Sequence, residues 1–197
     1  RDSIMAYKQH FIEWFSGKSI PSYWETEGTV GMVDDIDGGF KITNNGSTKG
    51  KLAFDTSTNN VGATFAHTGC KMISVSKLNQ TGNGFYLFHG MCRDMYSTDA
   101  FGLALPANNS VFKFYSYQGT SAGTEVASTV STDTNFHKFE LETDGTTMTM
   151  KIDGTTATTS TSNPPANSMF PFYYIQQDGG TTNSITTRYL ECYNTWP

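Results

Sequence analysis

Three acidic side chains stand close together in Glu140-Leu-Glu-Thr-Asp144, a segment that alternates polar and apolar residues. Because successive side chains of a β-strand point to opposite faces, Glu140 and Glu142 are expected side by side on one face. Two neighbouring carboxylates are what a retaining glycoside hydrolase uses as acid and nucleophile. A solvated sheet face, with Lys138 and Lys151 as counter-charges, explains the same residues, and we favour that interpretation.

A second group of acids, Asp34, Asp35 and Asp37, comes directly before Gly38-Gly39. Alternating carboxylates followed by a glycine bend are typical of calcium loops, because Ca²⁺ prefers several oxygen ligands. The glutamate that closes an EF-hand loop is missing, since Asn45 stands at its position. A β-turn between two strands accounts for the same residues. We favour the turn and predict no cofactor, with Ca²⁺ as the alternative.

Two aromatic segments carry residue types that suit sugars, Val111 to Gln118 and Phe170 to Asp178. Tyrosine rings stack on the C–H surfaces of pyranose rings, and polar side chains bind the hydroxyls. We predict stacking by Tyr115, Tyr117 and Tyr173. We predict hydrogen bonds from Lys113, Gln177 and Arg188. The alternative is that the tyrosines line or cover the edge of a sheet's core.

The composition indicates which elements hold these residues. Of 197 residues, 16% are charged and 14% are aromatic, and Thr, Ser and Asn together number 60. Neutral polar, β-branched and aromatic residues favour pleated sheets with solvated outer faces over helical bundles. The length is that of one globular domain. We therefore predict one all-β domain over residues 1–197.

Alternating stretches with turn residues between them predict about a dozen strands, a spacing typical of a sandwich or barrel. A short helical turn or an edge strand is expected over Met5 to Trp14. The expected strands are Gly28–Val33, Gly39–Thr43, Lys51–Phe54, Cys70–Leu78, Gly84–Met91, Gly102–Leu105, Val111–Tyr117, Thr124–Val130, Phe136–Thr143, Thr146–Ile152, Thr155–Thr159, Phe170–Gln177 and Thr186–Tyr193.

The clearest local pattern is a hairpin over Phe136 to Gly154. Asp144-Gly145 lies between two alternating strands, and Asp153-Gly154 follows as a further turn. Asp-Gly between alternating runs is a strong hairpin signature. The alternation predicts a core face made of Phe139, Leu141, Met148, Met150 and Ile152.

This hairpin, with its aromatic-His start and its final Ile-Asp-Gly, resembles the paired strands near the end of concanavalin A-like lectin and glucanase domains. Phe11 to Trp24 with Asp35 to Thr43 is similar to their first strands, and Phe172 to Gln177 with Arg188 to Tyr193 to their last. The resemblance implies a jelly-roll sandwich of two antiparallel sheets, in which the concave side of one sheet binds or cleaves polysaccharides in many relatives.

The resemblance also bears on the acids at Glu140 to Asp144. The retaining glucanases of this superfamily carry Glu-x-Asp-x-x-Glu, or a form one residue shorter, on a central strand. Here the second and third acids are exchanged in type, and the segment matches a later hairpin rather than that strand. The resemblance therefore implies binding more readily than cleavage.

The charge balance limits the partners. With 13 basic and 18 acidic residues the net charge is −5, so nucleic acid and anionic membrane surfaces are poor candidates, and no apolar stretch is long enough to span a bilayer. We predict a non-catalytic, lectin-like module of an extracellular, cell-surface or virion adhesion protein, with a glycan as its partner. The alternatives are a glycoside hydrolase or polysaccharide lyase of the same fold, using Glu140 and Glu142, and a self-associating structural module of a fibre, capsid or surface layer.

Overall fold

The computed structural model describes residues 10–33, 38–44, 49–54, 64–79, 85–93, 99–105, 110–119, 123–177 and 183–195. Their regular structure consists of fifteen strands, all paired antiparallel. The strands are β1 (His10–Glu13), β2 (Trp24–Glu27), β3 (Thr29–Met32), β4 (Phe40–Thr43), β5 (Gly50–Phe54), β6 (Cys70–Leu78), β7 (Phe85–Cys92), β8 (Ala100–Leu105), β9 (Val111–Tyr117), β10 (Thr124–Ser131), β11 (His137–Thr143), β12 (Met148–Ile152), β13 (Thr155–Ser160), β14 (Phe170–Gln177) and β15 (Ser184–Asn194).

The strands form two sheets. One has the order β13-β12-β11-β6-β15-β4-β3, with β1 also paired to β15, and we call it the eight-stranded sheet. The other has the order β10-β9-β8-β7-β14-β5-β2 and is the seven-stranded sheet. Neighbours in space are often distant in sequence, as when β14 pairs with both β5 and β7. This arrangement confirms the predicted all-β jelly-roll sandwich.

The core lies between the inner faces of the two sheets. Phe139 and Leu141 of β11 are buried on one side, and Leu103 of β8 and Phe114 of β9 on the other. Burying a side chain of this size stabilises the folded state by about 1.5–3 kcal/mol. Most residues facing the core belong to one continuous apolar cluster. The opposite face of each sheet is thereby left as its outer face.

The predicted hairpin is confirmed, with Phe139 paired to Ile152 and Leu141 to Met150. Its first turn is held by Asp144, whose Oδ1 accepts hydrogen bonds from the backbone N–H groups of Thr146 and Thr147. In the second turn both Asp153 and Gly154 have positive φ, 52° and 81°. Two such residues make the hairpin turn whose twist matches that of its strands.

Two strands differ from the sequence-based expectations or resolve them. His10–Glu13 is an edge strand rather than a helical turn. Strand β2, Trp24–Glu27, was not predicted, because its two glutamates and lack of a flanking apolar run hide the alternation. Cys70, Cys92 and Cys192 are all free and buried. Within the described ranges there is no helix long and apolar enough to cross a membrane.

Candidate functional site

The outer face of the seven-stranded sheet carries a patch of aromatic side chains from three strands. Alternation along β7, β9 and β14 places one set of side chains in the core and the other outside, and the register aligns the outer sets. We call this patch the aromatic face; it consists of Tyr86, Phe88, Tyr115, Tyr117, Phe172 and Tyr174.

The rings of the aromatic face touch one another in a continuous series. Tyr115 and Tyr117 are nearly parallel, with centroids 6.5 Å apart, because they are two residues apart on one strand. Phe172 and Tyr174 repeat this arrangement at 6.2 Å. Phe88 lies between the two pairs, 6.3 Å from Tyr115 and 6.0 Å from Phe172. Phe88, Phe172 and Tyr174 are themselves buried, whereas Tyr86, Tyr115 and Tyr117 are half-buried and form the accessible part of the aromatic face.

Small residues lie among these rings. Gly90 of β7 and Gly102 of β8 are directly paired, and Ala104 pairs with Phe88. A Cβ atom at Gly102 would be only 2.6 Å from the carbonyl oxygen of His89. Glycine is needed here because the two backbones approach too closely for a side chain. The missing side chains also leave room for Phe88 to reach its aromatic neighbours.

Two ion pairs flank the aromatic face. On one side Lys113 Nζ lies 3.2 Å from Glu125 Oε2 of β10. On the other side Lys51 Nζ of β5 lies 2.7 Å from Glu25 Oε1 of β2, and the Lys51 side chain is only 1% exposed. Both glutamates thus have a cationic partner. Lys51 is buried, so the partly exposed Glu25, Lys113 and Glu125 supply the hydrogen-bonding capacity at the two rims of the aromatic face.

The hydroxyls of Tyr86 and Tyr115 stay protonated well above neutral pH. Burial raises the pKa of Tyr86, and neighbouring Tyr115 and Glu125 act in the same direction. Burial is also the main cause that raises the pKa of Tyr115. A neutral phenol both donates and accepts hydrogen bonds, which suits the hydroxyls of a sugar.

The structure brings together half of the predicted ligand-binding residues. Lys113, Tyr115 and Tyr117 are half-buried and share the aromatic face. The placement of Tyr173 on an outer face is wrong: it is fully buried in the core, stacked on His89 with centroids 4.5 Å apart. The error arises because β14 is aromatic on both faces, so composition does not show which face is the outer one.

The other predicted ligand-binding residues fall elsewhere. Arg188 belongs to the eight-stranded sheet, where its guanidinium lies 4.4 Å from the centre of the Phe136 ring. The side chain of Gln177 lies outside the described part of the structure. In place of Tyr173, the face contains Tyr86, Phe88 and the pair Phe172 and Tyr174. These four residues could be identified only from the pairing of β7 with β14. That pairing cannot be read from either segment alone.

The acids predicted for the enzyme alternative lie on the outer face of the other sheet. Glu140 pairs with Lys71 Nζ at 2.7 Å and with Lys138 Nζ at 3.0 Å, and Glu142 lies 3.8 Å from Lys71. The hydrogen bond from Lys71 is the main cause that lowers the pKa of Glu140. A general acid needs a raised pKa, so this environment favours a structural ion pair.

The three residues predicted as possible Ca²⁺ ligands, Asp34, Asp35 and Asp37, lie outside the described residues. Within the ranges that the structure describes, no group of three or more His, Cys, Asp or Glu side chains is arranged to hold a metal ion.

No family model and no curated protein matches the chain, but solved structures do. It is similar to an apo Crh5 transglycosylase, with a TM-score of 0.70 and 15% identity over 95% of this chain and 85% of the other. A glycoside hydrolase family 16 endo-glucanase from Bacteroides ovatus, in complex with G4G3G-2F-DNP, gives a TM-score of 0.70 and 13% identity over 91% and 98%. The chain has the concanavalin A-like jelly-roll fold.

A third similar structure with this fold is the binding domain of botulinum neurotoxin DC in complex with SialylT. Its TM-score is 0.63 at 13% identity, over 87% of this chain and 43% of the other. The concanavalin A-like fold is therefore shared here by enzymes and by a binding domain. At these identities the likeness establishes the fold, and the function has to be argued from the side chains.

Proposed function

We propose that this chain is a non-catalytic carbohydrate-binding domain that binds a glycan on the aromatic face. The observation that carries the proposal is the stack of Tyr115 and Tyr117, which are half-buried beside Lys113 and are backed by the buried ring of Phe88. Aromatic rings bind the apolar faces of pyranoses, and the phenol and ammonium groups bind their hydroxyls. Several similar structures are complexes, with a G4G4G3G product, with NAG and with SialylT, which agrees with the proposal.

The position of the carboxylates supports binding over cleavage. On the outer face of β7 and β8, the described positions are occupied by Tyr86, Phe88 and Cys92 and by glycine and alanine. Glu25 and Glu125 stand on strands at opposite edges of the sheet, each in an ion pair. Glycoside hydrolysis requires two carboxylates flanking one bond, about 5–10 Å apart, with a raised pKa on the acid.

A domain of this kind fits an extracellular, cell-surface or virion adhesion protein. The outer face of β12 and β13 carries mostly threonine: Thr149, Thr156 and Thr159 alternate with buried residues, and Lys151 is the one charged residue of these two strands. Neutral hydroxyls keep such a sheet solvated without attracting nucleic acid or anionic lipid. The glycan would then be part of the surface to which the protein adheres.

A glycan array combined with a reducing-end assay tests this proposal. We expect wild-type protein to bind a defined set of glycans and to release no reducing ends from them. Tyr115→Ala should lose binding, while Tyr115→Phe, which keeps the ring, should retain most of it. Cleavage that Glu140→Gln abolishes would establish the enzyme alternative instead. Ordered multimers in light scattering, with no glycan bound, would establish the assembly alternative.

A further inference from the structure

We infer that His137 closes a pH-sensitive clamp, which fastens the chain where it passes from one sheet to the other for as long as both ring nitrogens carry a proton. Residues 132–136 make this passage, because they lead from β10 of the seven-stranded sheet to β11 of the eight-stranded sheet. We call them the crossover. His137 follows as the first residue of β11. The inference does not depend on glycan binding.

The His137 ring lies between two carboxylates. Its Nε2 atom is 2.9 Å from Oδ1 of Asp133, which belongs to the crossover. Its Nδ1 atom is 2.6 Å from Oδ2 of Asp153, which belongs to the turn between β12 and β13. One ring therefore connects the crossover, the start of β11 and the hairpin turn.

The two contacts determine how many protons the ring has to carry. An ionised carboxylate only accepts hydrogen bonds, whereas a neutral imidazole has one N–H donor and one acceptor nitrogen. A neutral His137 could donate to one aspartate and would turn a lone pair toward the other. The imidazolium form donates to both. The arrangement is therefore complete only when His137 is positively charged.

The remaining neighbours of the ring are apolar. Phe112 of β9, in the opposite sheet, contacts it edge-on with ring centroids 5.5 Å apart, and Phe139 lies 6.0 Å away. The His137 side chain is only 13% exposed. Among the described residues, the ionisable groups that face the ring are Asp133 and Asp153. The adjacent Lys138 lies 3.0 Å from Glu140 instead.

The three charged groups support one another. Burial alone would lower the pKa of His137, but its hydrogen bonds to Asp153 and Asp133 outweigh burial and raise the pKa. Burial would likewise raise the pKa of each aspartate. Hydrogen bonds from His137 to both, and from the Asn135 backbone to Asp133, outweigh it and lower both values. The geometry thus favours the charged form of all three groups at neutral pH.

The clamp is closed between two limits of pH. The pKa of His137 lies above its unfolded value of about 6.5, so the stabilisation is fully present below pH 6.5 and is lost as the pH rises through the raised value. The aspartates set the lower limit, since their contribution is lost as the pH falls through their lowered values. Above the upper limit, Asp133 and Asp153 repel each other beside a neutral ring.

Two backbone amides report on the clamp directly. The N–H of Asn135 donates to Oδ1 of Asp133 at 2.7 Å, and the N–H of Lys138 donates to Oδ1 of Asp153 at 2.9 Å. Each amide is therefore bonded to one of the carboxylates that hold the ring. A change in the charge of His137 reaches both amides through these bonds.

An NMR pH titration of the ring nitrogens and the backbone amides tests the clamp. We expect His137 to titrate above pH 6.5, and the Asn135 and Lys138 amides to shift with the same midpoint. Asp133→Asn and Asp153→Asn should each lower the pKa of His137. Asp144→Asn is the matched control, because Asp144 caps the other turn of this hairpin and should leave the titration of His137 unchanged.

Urea denaturation shows whether the clamp stabilises the fold. From pH 6 to a pH above the titration of His137, the unfolding equilibrium constant of the wild type should rise about threefold, as for a partly exposed ion pair. His137→Gln should lack this rise. If that variant does not fold, the two aspartate variants still test the clamp. A midpoint for His137 at or below pH 6.5, an unchanged titration in either aspartate variant, or an equal rise in His137→Gln would each overturn the inference.

Discussion

Phe88 of β7 and Tyr115 of β9 contact each other edge to face across the intervening strand β8, with ring centroids 6.3 Å apart. The contact is possible because β8 places only Gly102 and Ala104 between them on this face. Edge-to-face pairs stabilise by about 0.5–1.5 kcal/mol beyond the area they bury. The contacts within the aromatic face therefore depend on the small residues of β8 as well as on the rings.

The first prediction concerns Gly102. In Gly102→Ala the new methyl group would lie 2.6 Å from the His89 carbonyl oxygen, so the backbones of β7 and β8 have to move apart. We expect the free energy of unfolding to fall by about 1–3 kcal/mol, measured by urea denaturation. Gly31→Ala is the matched control, because a Cβ atom there meets nothing within 4 Å. Equal stability of the two variants would contradict the close approach.

The second prediction concerns the buried His89. Burial lowers its pKa to about 3, and both ring nitrogens lack a hydrogen-bond partner among the described residues. The unfolded chain binds this proton near pH 6.5 and the folded protein does not, so His89 reduces stability as the pH falls from 6.5 toward 3.

Urea denaturation at several pH values measures this effect. Between pH 6 and pH 4 we expect His89 to account for a loss of about 2 kcal/mol of the free energy of unfolding. In His89→Leu this loss should be absent, so the free energy of unfolding should depend less steeply on pH than in the wild type. Identical slopes for the variant and the wild type would show that His89 is protonated in the folded state.

The third prediction concerns Glu140. Its pKa is lowered, chiefly by the hydrogen bond from Lys71, so its contribution to stability is present above pH 4.5 and is lost as the pH falls through the lowered value. Glu140→Gln should reduce the free energy of unfolding by about 1 kcal/mol at pH 7 and by little at pH 2. Glu142→Gln, which loses only the 3.8 Å contact, should cost less. A raised stability at pH 7 in Glu140→Gln would contradict a favourable ion pair.

Local features of this fold were predictable from the sequence, whereas the site depended on long-range pairing. The hairpin over β11 and β12 follows from Asp-Gly turns and alternation within twenty residues. Strand β2 was missed because it is short and charged on one side. The sequence predicts the wrong face for Tyr173 because its neighbours Phe172 and Tyr174, which lie on the outer face of β14, are as aromatic as the residues on the core face. Both faces of β14 are aromatic, so hydrophobicity does not show which face points to the core. The strands that pair with β14 determine this.

The aromatic face is the proposed place where a glycan binds. Isothermal titration of a glycan identified on the array, with wild type, Tyr115→Ala/Tyr117→Ala and Tyr193→Ala, tests this directly. Tyr193 is the matched control, a half-buried tyrosine on the outer face of the eight-stranded sheet. We expect the double variant to bind at least about tenfold more weakly, the loss of one ring's stacking or more, and Tyr193→Ala to bind like the wild type. Unchanged affinity in the double variant, or a loss confined to Tyr193→Ala, would place the binding site elsewhere.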